Sequence, residues 1–393
     1  MLIETFILGL IVISTSIIPA EALPSSSTAQ SQSQSQSRSQ QSNTVFDWDA
    51  TRHVLAFGDS YTYIQGTAGH PNYSFIGDEQ NYAFDKRALL GDAIVQNQTG
   101  TSAGAPNWIE YLTGCGVEED LTYPVECERQ LWDFAFAGAG VSAEFIPLHH
   151  EYTVSFVRQI EQYITYGHPI LTSSSSSNTT KALQDKGKRN PILFPSRTLT
   201  AIWIGINDIN DSAAYNYTLP QFEEFYNALL SRVFEALGQL VKLGYRDFVL
   251  LNLPPLDRTP ANQLRIEKGE EAVPSKEQVE LWNSLILQQS ETFKAENPST
   301  ETLIFDANIL LNRILDEPGK YGITNTTHFC PGAKQPDIST DYASYGCPTP
   351  LGTYFWFDSG HVTSTVHWAL AGELGRVLSG WRGDWEKGVR VRF

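Results

Sequence analysis

The sequence predicts an α/β fold of three layers, α/β/α, around a mostly parallel central sheet. Two observations predict it. Short apolar runs that stop at small residues alternate with longer stretches of helical spacing. Parallel strands joined by helices must bury both faces of the sheet, so strands and helices alternate in such layers.

Val54–Phe57 is the first buried strand, ending at Gly58-Asp59-Ser60. Thr67–Gly104, rich in Gly, Asn and Asp, reads as a long surface excursion, and Ala105–Thr113 as a short helix. Leu131–Phe136 is a second strand, ending at Ala137-Gly138-Ala139-Gly140. Val154, Val157, Ile160 and Ile164 space a helix over Tyr152–Tyr166. Ser173–Asn190 reads as an exposed insertion, Ser-rich and then Lys-rich. Thr198–Ile204 is a third strand before Gly205-Ile206-Asn207-Asp208. Leu219–Lys242 is amphipathic, with Phe222, Phe225, Leu229, Val233, Leu237 and Leu240 on one face and Gly244 as its stop. Strands at Asp247–Leu253 and Thr302–Phe305 and helices at Lys276–Ala295 and Asp306–Leu315 follow. A loop region over Asp316–Pro350 precedes a last helix over Thr363–Leu378.

The amino-terminal region sits outside this alternation. Phe6–Ile18 is apolar but short for a membrane span, and Ala20-Glu21-Ala22 has the small-x-small form of a signal-peptidase site. Residues 1–22 are therefore expected to be a cleaved signal peptide, although Glu4 leaves that segment without a basic side chain. Residues 23–44 are mostly Ser and Gln and cannot bury enough apolar surface to order themselves. That leaves 45–393 as a single domain. A formal net charge of −17 argues against nucleic-acid partners and stable association with anionic membranes. Together with the leader it predicts an extracellular, secreted location. Cys115, Cys127, Cys330 and Cys347 allow three pairings. The local ones, Cys115–Cys127 and Cys330–Cys347, are favoured because each staples a Gly/Pro-rich loop. No Cys-x-x-Cys pair suggests zinc. Asn72, Asn97, Asn178, Asn210, Asn216 and Asn325 head Asn-x-Ser/Thr triplets and are glycosylation candidates.

In a parallel sheet, ligands sit beyond the carboxyl ends of the strands. Three clusters of small residues fall at such ends. In Phe57-Gly58-Asp59-Ser60-Tyr61 the glycine permits a sharp turn that presents the Ser60 hydroxyl. In Phe134-Ala135-Phe136-Ala137-Gly138-Ala139 a glycine N–H is accessible, and in Gly205-Ile206-Asn207-Asp208 an amide can donate to a developing oxyanion. A fourth cluster, Phe357-Asp358-Ser359-Gly360-His361, puts a carboxylate three residues before an imidazole, close enough to fix its tautomer. Each cluster alone is ordinary turn or capping chemistry. His149 and His150 lie in a loop and read as surface residues.

The order and spacing of the four clusters resemble the GDSL/SGNH hydrolase family over about residues 50–380. Within it, Ala56-Phe57-Gly58-Asp59-Ser60-Tyr61-Thr62 and Trp356-Phe357-Asp358-Ser359-Gly360-His361 are most similar to fungal acetylesterases of carbohydrate esterase family sixteen. Asp133 stands where many relatives have Asn, and Val362 where many have Pro. The resemblance implies an SGNH-hydrolase-like fold, Ser60 as nucleophile, Asp358 and His361 as its acid/base pair, and an oxyanion hole from the Ser60 and Gly138 N–H groups and the Asn207 amide. It implies a small-molecule or oligosaccharide ester as substrate and acyl transfer without a cofactor. A lipase- or phospholipase-like enzyme and a non-catalytic carbohydrate-binding protein on the same fold are the rival readings.

Overall fold

The computed structural model describes residues 46–69, 75, 86–118, 122–173 and 192–380. The expected signal peptide and leader lie outside these residues, as do most of the expected insertion over 173–190 and the triplets at Asn72 and Asn178.

Five strands form the central sheet: β1 (His53–Gly58), β2 (Gln130–Asp133), β3 (Thr198–Trp203), β4 (Asp247–Leu251) and β5 (Glu301–Phe305). Their order is β2-β1-β3-β4-β5, and every pairing is parallel. The order reverses at β1, so the crevice beyond the carboxyl ends of β1 and β3 is the topological switch point. All residues of the first four strands are buried, as a sheet covered on both faces requires.

One face is covered by α1 (Trp108–Thr113), α5 (Ala307–Asp316) and α6 (Ser364–Gly380), which pack on one another. On the other, α2 (Phe156–Gln162), α3 (Leu219–Lys242) and α4 (Lys276–Glu296) pack together. The layers are therefore α/β/α. Thr218 and Gln221 form a capping box at the start of α3, and Ser275 and Gln278 one at the start of α4. Phe222, Leu229, Val233, Leu237 and Leu240 of α3 are buried, while Phe225 is only half-buried at the edge of the core.

Three regions differ from the sequence expectations. The helix expected over Tyr152–Tyr166 begins at Phe156 and widens into a π-helical turn at Tyr163–Gly167. The excursion after Thr67 is not all surface: Phe75, Leu89, Leu90 and Ile94 are buried. The loop region expected over Asp316–Pro350 contains strand β6 (Asn325–Phe329), which pairs in parallel with β7 (Tyr354–Trp356). Both local cysteine pairings form, Cys115–Cys127 and Cys330–Cys347.

Candidate active site

The turn after β1 is held from three directions. The Gln159 side chain of α2 accepts from Gly58 N at 2.9 Å and donates to Gly58 O at 2.8 Å. Asp59 N donates to Trp203 O at the end of β3. Asn107, the N-cap of α1, donates to Thr62 O and Tyr63 O. Gly58 sits at φ +154°, and a Cβ there would lie 2.2 Å from Trp203 O, so only glycine allows β1 and β3 to approach this closely. The turn presents Ser60, 8 % exposed, to the cleft.

The fourth cluster arrives on the loop between β7 and α6. Phe357 N donates to His361 O and closes the loop. Tyr61, buried beneath it, donates from its hydroxyl to Gly360 O at 2.5 Å. His361 Nε2 lies 2.7 Å from Ser60 Oγ. Its Nδ1 lies 2.9 and 3.0 Å from the two carboxylate oxygens of Asp358. Asp358 Oδ1 also accepts from the N–H groups of Gly360 and His361. Burial raises the Asp358 carboxyl, but the hydrogen bond and charge of His361 and these N–H groups outweigh it and hold it at about 2. An ionised carboxylate thus fixes one imidazole nitrogen and leaves the other for the serine hydroxyl.

Candidate donors lie at the ends of the strands beside β1. Gly138 has φ +82°, and neither its N–H nor that of Ser60 has an acceptor among the described residues. Asn207, half-buried on the helical turn Ile206–Ser212, spends one amide hydrogen on Ala139 O at 2.8 Å. That bond orients the amide and leaves a second hydrogen. Asp208, next along the turn, accepts from Val141 N through both oxygens and ties the Gly138 loop to the Asn207 turn. Burial pushes Asp208 up to about 7, against the Val141 N–H. Asp59 likewise rises to about 7 through burial, against the Tyr61 N–H and the charge of His361. Below that range both are neutral, and Asp358 is the carboxylate that carries charge beside His361. Burial also lifts Asp133 well above the carboxylate range, against the Ala135 N–H, and its second oxygen has no partner among the described residues.

The sequence missed four contributors. Gln159 and Asn107 act on backbone far away in the chain, and nothing in their local sequence marks that. Nothing in the sequence around Tyr61 marks the bond from its hydroxyl to Gly360 O. His149 is at the surface as expected, but its Nε2 pairs with Asp211 Oδ2 at 2.7 Å. The hydrogen bond to Asp211 raises His149 above the usual histidine value despite partial burial. Its ring lies over Gly138, where an added Cβ would meet Nδ1 at 3.1 Å. Among the expected glycosylation positions, Asn97, Asn210 and Asn216 are exposed and Asn325 is half-buried.

The GDSL-like Lipase/Acylhydrolase sequence model matches residues 54–374, which span all four clusters. The chain belongs to that family. An acetylesterase of Thermothelomyces thermophilus is 25 % identical over 288 residues, 71 % of this chain and 78 % of that protein. Among solved structures, LAE5, an alpha/beta hydrolase enzyme from the metagenome of Lake Arreo, Spain, aligns with 84 % of this chain and 96 % of its own at 12 % identity and a TM-score of 0.35. The strand order and helix layers above, not that likeness, carry the fold assignment. As a GDSL acylhydrolase, the protein is a carboxylic ester hydrolase and takes small-molecule esters. No described helix is long and apolar enough to cross a membrane.

Proposed function

We propose that this hydrolase is a secreted serine esterase that removes short acyl groups, chiefly acetyl, from oligosaccharides of plant cell walls. The observation that carries the chemistry is the chain of contacts Ser60 Oγ, His361, Asp358, at 2.7 and 2.9 Å. His361 Nε2 takes the Ser60 proton as Oγ attacks the ester carbonyl. Charge developing on the carbonyl oxygen is met by the Ser60 and Gly138 N–H groups and the free hydrogen of the Asn207 amide. His361 returns the proton to the leaving sugar hydroxyl. It then deprotonates a water that cleaves the acyl-enzyme.

The acetyl preference is supported by the acetylesterase relative and by the sequence likeness to carbohydrate esterase family sixteen. Secretion is supported by the expected signal peptide and by two disulfides, which persist in oxidising compartments. The test is turnover on esters from acetate to octanoate beside acetylated xylo-oligosaccharides. Acetate and the acetylated sugars should lead. Each misfitting methylene is worth about 1–3 kcal/mol in a closed acyl pocket. A maximum at octanoate with the sugars untouched would overturn the substrate reading in favour of a lipase-like enzyme. Ser60→Ala should abolish hydrolysis at unchanged melting temperature, and a serine-directed phosphonate should modify Ser60. Full activity in that variant would remove the nucleophile assignment.

A further inference from the structure

A cavity of about 1020 Å³ opens behind the catalytic loop and has no part in the steps above. Its floor includes Ala103 and Gly104, and Gly104 packs so closely on Phe357 that a Cβ would lie 2.5 Å from the ring. Neither Ser60, Asp358 nor His361 lines it. Its two walls are covalently braced. Gly116 and Val117 sit within the Cys115–Cys127 loop, and Pro336, Ile338 and Ser339 within the Cys330–Cys347 loop. Gln98 Nε2 reaches across to Ala333 O at 2.6 Å, and Gln96 Nε2 holds Gly116 O and Glu118 O. Both glutamines thus fix the walls with their nitrogens, while their amide oxygens accept nothing among the described residues.

Two properties define what would fit. First, Trp368 on α6 lines the cavity and is 65 % exposed, the most exposed large hydrophobic side chain described. A chain that buries Trp108, Trp132, Trp203, Trp282 and Trp356 almost completely leaves this indole in water. An isolated apolar surface residue needs no explanation, but an indole at the rim of a preformed cavity offers a flat, amphipathic platform. Second, the lining carries one ionisable carboxyl, Glu110, on a protein of net charge −17. Glu110 is itself buried and gives an oxygen to Asn107 N. Burial pushes it up to about 8, against that N–H, so the cavity is uncharged in mildly acidic surroundings. The rest of the polar lining is amide and hydroxyl, Gln96, Asn97, Gln98, Tyr111, Ser339 and Thr365 among it.

We infer that this cavity is a second, non-catalytic site that binds a neutral oligosaccharide, with a sugar ring stacked on Trp368 and its hydroxyls donating to the Gln96 and Gln98 amide oxygens. A pyranose has an apolar face and a rim of hydroxyls, which matches a bare indole beside unpaired amide acceptors. A cationic or anionic ligand would find no counter-charge there. A fatty acyl chain would leave the amides and hydroxyls without partners. The inference rests on the saccharide half of the proposed function and is independent of which acyl group is removed.

The experiment uses unesterified xylo-oligosaccharides, which the catalytic serine cannot process, titrated into protein stripped of N-glycans. Stripping matters because Asn97 lines the same cavity and heads an Asn-x-Thr triplet. Binding should be read by tryptophan fluorescence and calorimetry. Trp368→Ala should weaken it by about tenfold or more, and Trp368→Tyr should restore part of it. Turnover of an aryl acetate should stay within about twofold in both variants, since Trp368 touches no reacting group. If the wild type shows no binding up to about 10 mM sugar, the proposal is wrong. It is also wrong if Trp368→Ala binds as the wild type does. Glycosylated protein titrated in parallel should also bind; binding confined to the stripped protein would make the Asn97 glycan the occupant and overturn the proposal as well. An inactive wild type on aryl acetate would instead count against the esterase reading and leave the binding result to stand by itself.

Discussion

Gln159 carries no charge and transfers no proton, yet the geometry of the serine turn depends on it. Its amide pairs both backbone groups of Gly58, two residues before Ser60, in a fully buried site. Gln159→Leu keeps the volume but orphans the Gly58 N–H, a penalty of about 1–3 kcal/mol. The expected result is a lower melting temperature with a loss in kcat that exceeds any change in KM; unchanged kcat would show that Asn107 and Trp203 hold the turn without it. His149 makes a second residue-scale prediction. Its ring covers Gly138 and is held by Asp211, so His149→Ala should disturb the loop that offers the Gly138 N–H. Turnover should fall, and Asp211→Asn should reproduce part of the loss; a variant with wild-type turnover would return His149 to the plain surface residue its sequence suggested. Asn207→Ala should lower kcat by about 10²–10³-fold with little effect on KM, because an oxyanion donor acts on the transition state. An effect confined to KM would reassign Asn207 to substrate binding.

At the scale of elements, three of the four clusters occur where a parallel strand stops and the chain turns, and after β3 a helical turn begins at once. Gly205 shows why that arrangement is rigid. It sits at φ +115° between β3 and the Asn207 turn, and a Cβ there would lie 2.3 Å from the buried Trp282 ring of α4. Gly205→Ala combines a disfavoured φ with a clash against a ring that cannot swing away, a cost of about 1–3 kcal/mol for each. Both melting temperature and turnover should drop, whereas Gly238→Ala inside α3, with open space at its Cβ, should raise the melting temperature slightly through helix propensity, worth about 1 kcal/mol, and leave turnover unchanged. This is also where the sequence was most legible. Apolar runs such as Val54–Phe57 and Thr198–Ile204 announce buried strands, and the Gly, Ser and Asn after them announce turns at the ligand-binding edge. The sequence was silent where an element owes its existence to a distant partner. Strand β6, Asn325–Phe329, is polar and half-exposed, and only pairing with Tyr354–Trp356 makes it a strand. The Gln159 clamp spans 101 residues, and periodicity within one helix cannot reveal it. The π turn at Tyr163–Gly167 keeps nearly the same apolar spacing as an α-helix and so left no sequence signal.

Taken as a whole, the molecule buries acids as well as aromatics, and that sets how its stability must vary with pH. Burial raises Asp92 to about 6, Asp59, Asp208 and Asp247 to about 7, and Glu110 to about 8, and lifts Asp133 well above the usual range. An unfolded carboxyl titrates near pH 4. Between that value and the folded one, the native state holds more protons than the unfolded chain, so stability falls as pH rises. The contribution of each group is complete below the unfolded value and is lost through its folded value. Two buried histidines act oppositely: desolvation lowers His53 to about 4 and His367 to about 3, so they add stability as pH rises toward about 6.5. Above that pH their effect is spent while the carboxyls with folded values near 7 and 8 still titrate. Asp358, held at about 2, adds stability above its unfolded value and loses it only in strong acid. The six acids outnumber the two histidines, and the net charge of −17 adds self-repulsion as pH climbs. The melting temperature should therefore decline from about pH 5 to pH 8, with the decline clearest above about 6.5, where nothing opposes it. Calorimetry at constant ionic strength measures this directly. Added salt should recover the part due to surface repulsion and leave the part due to burial. A melting temperature that is flat or rising from pH 6.5 to 8 would mean that these acids are ionised in the native core.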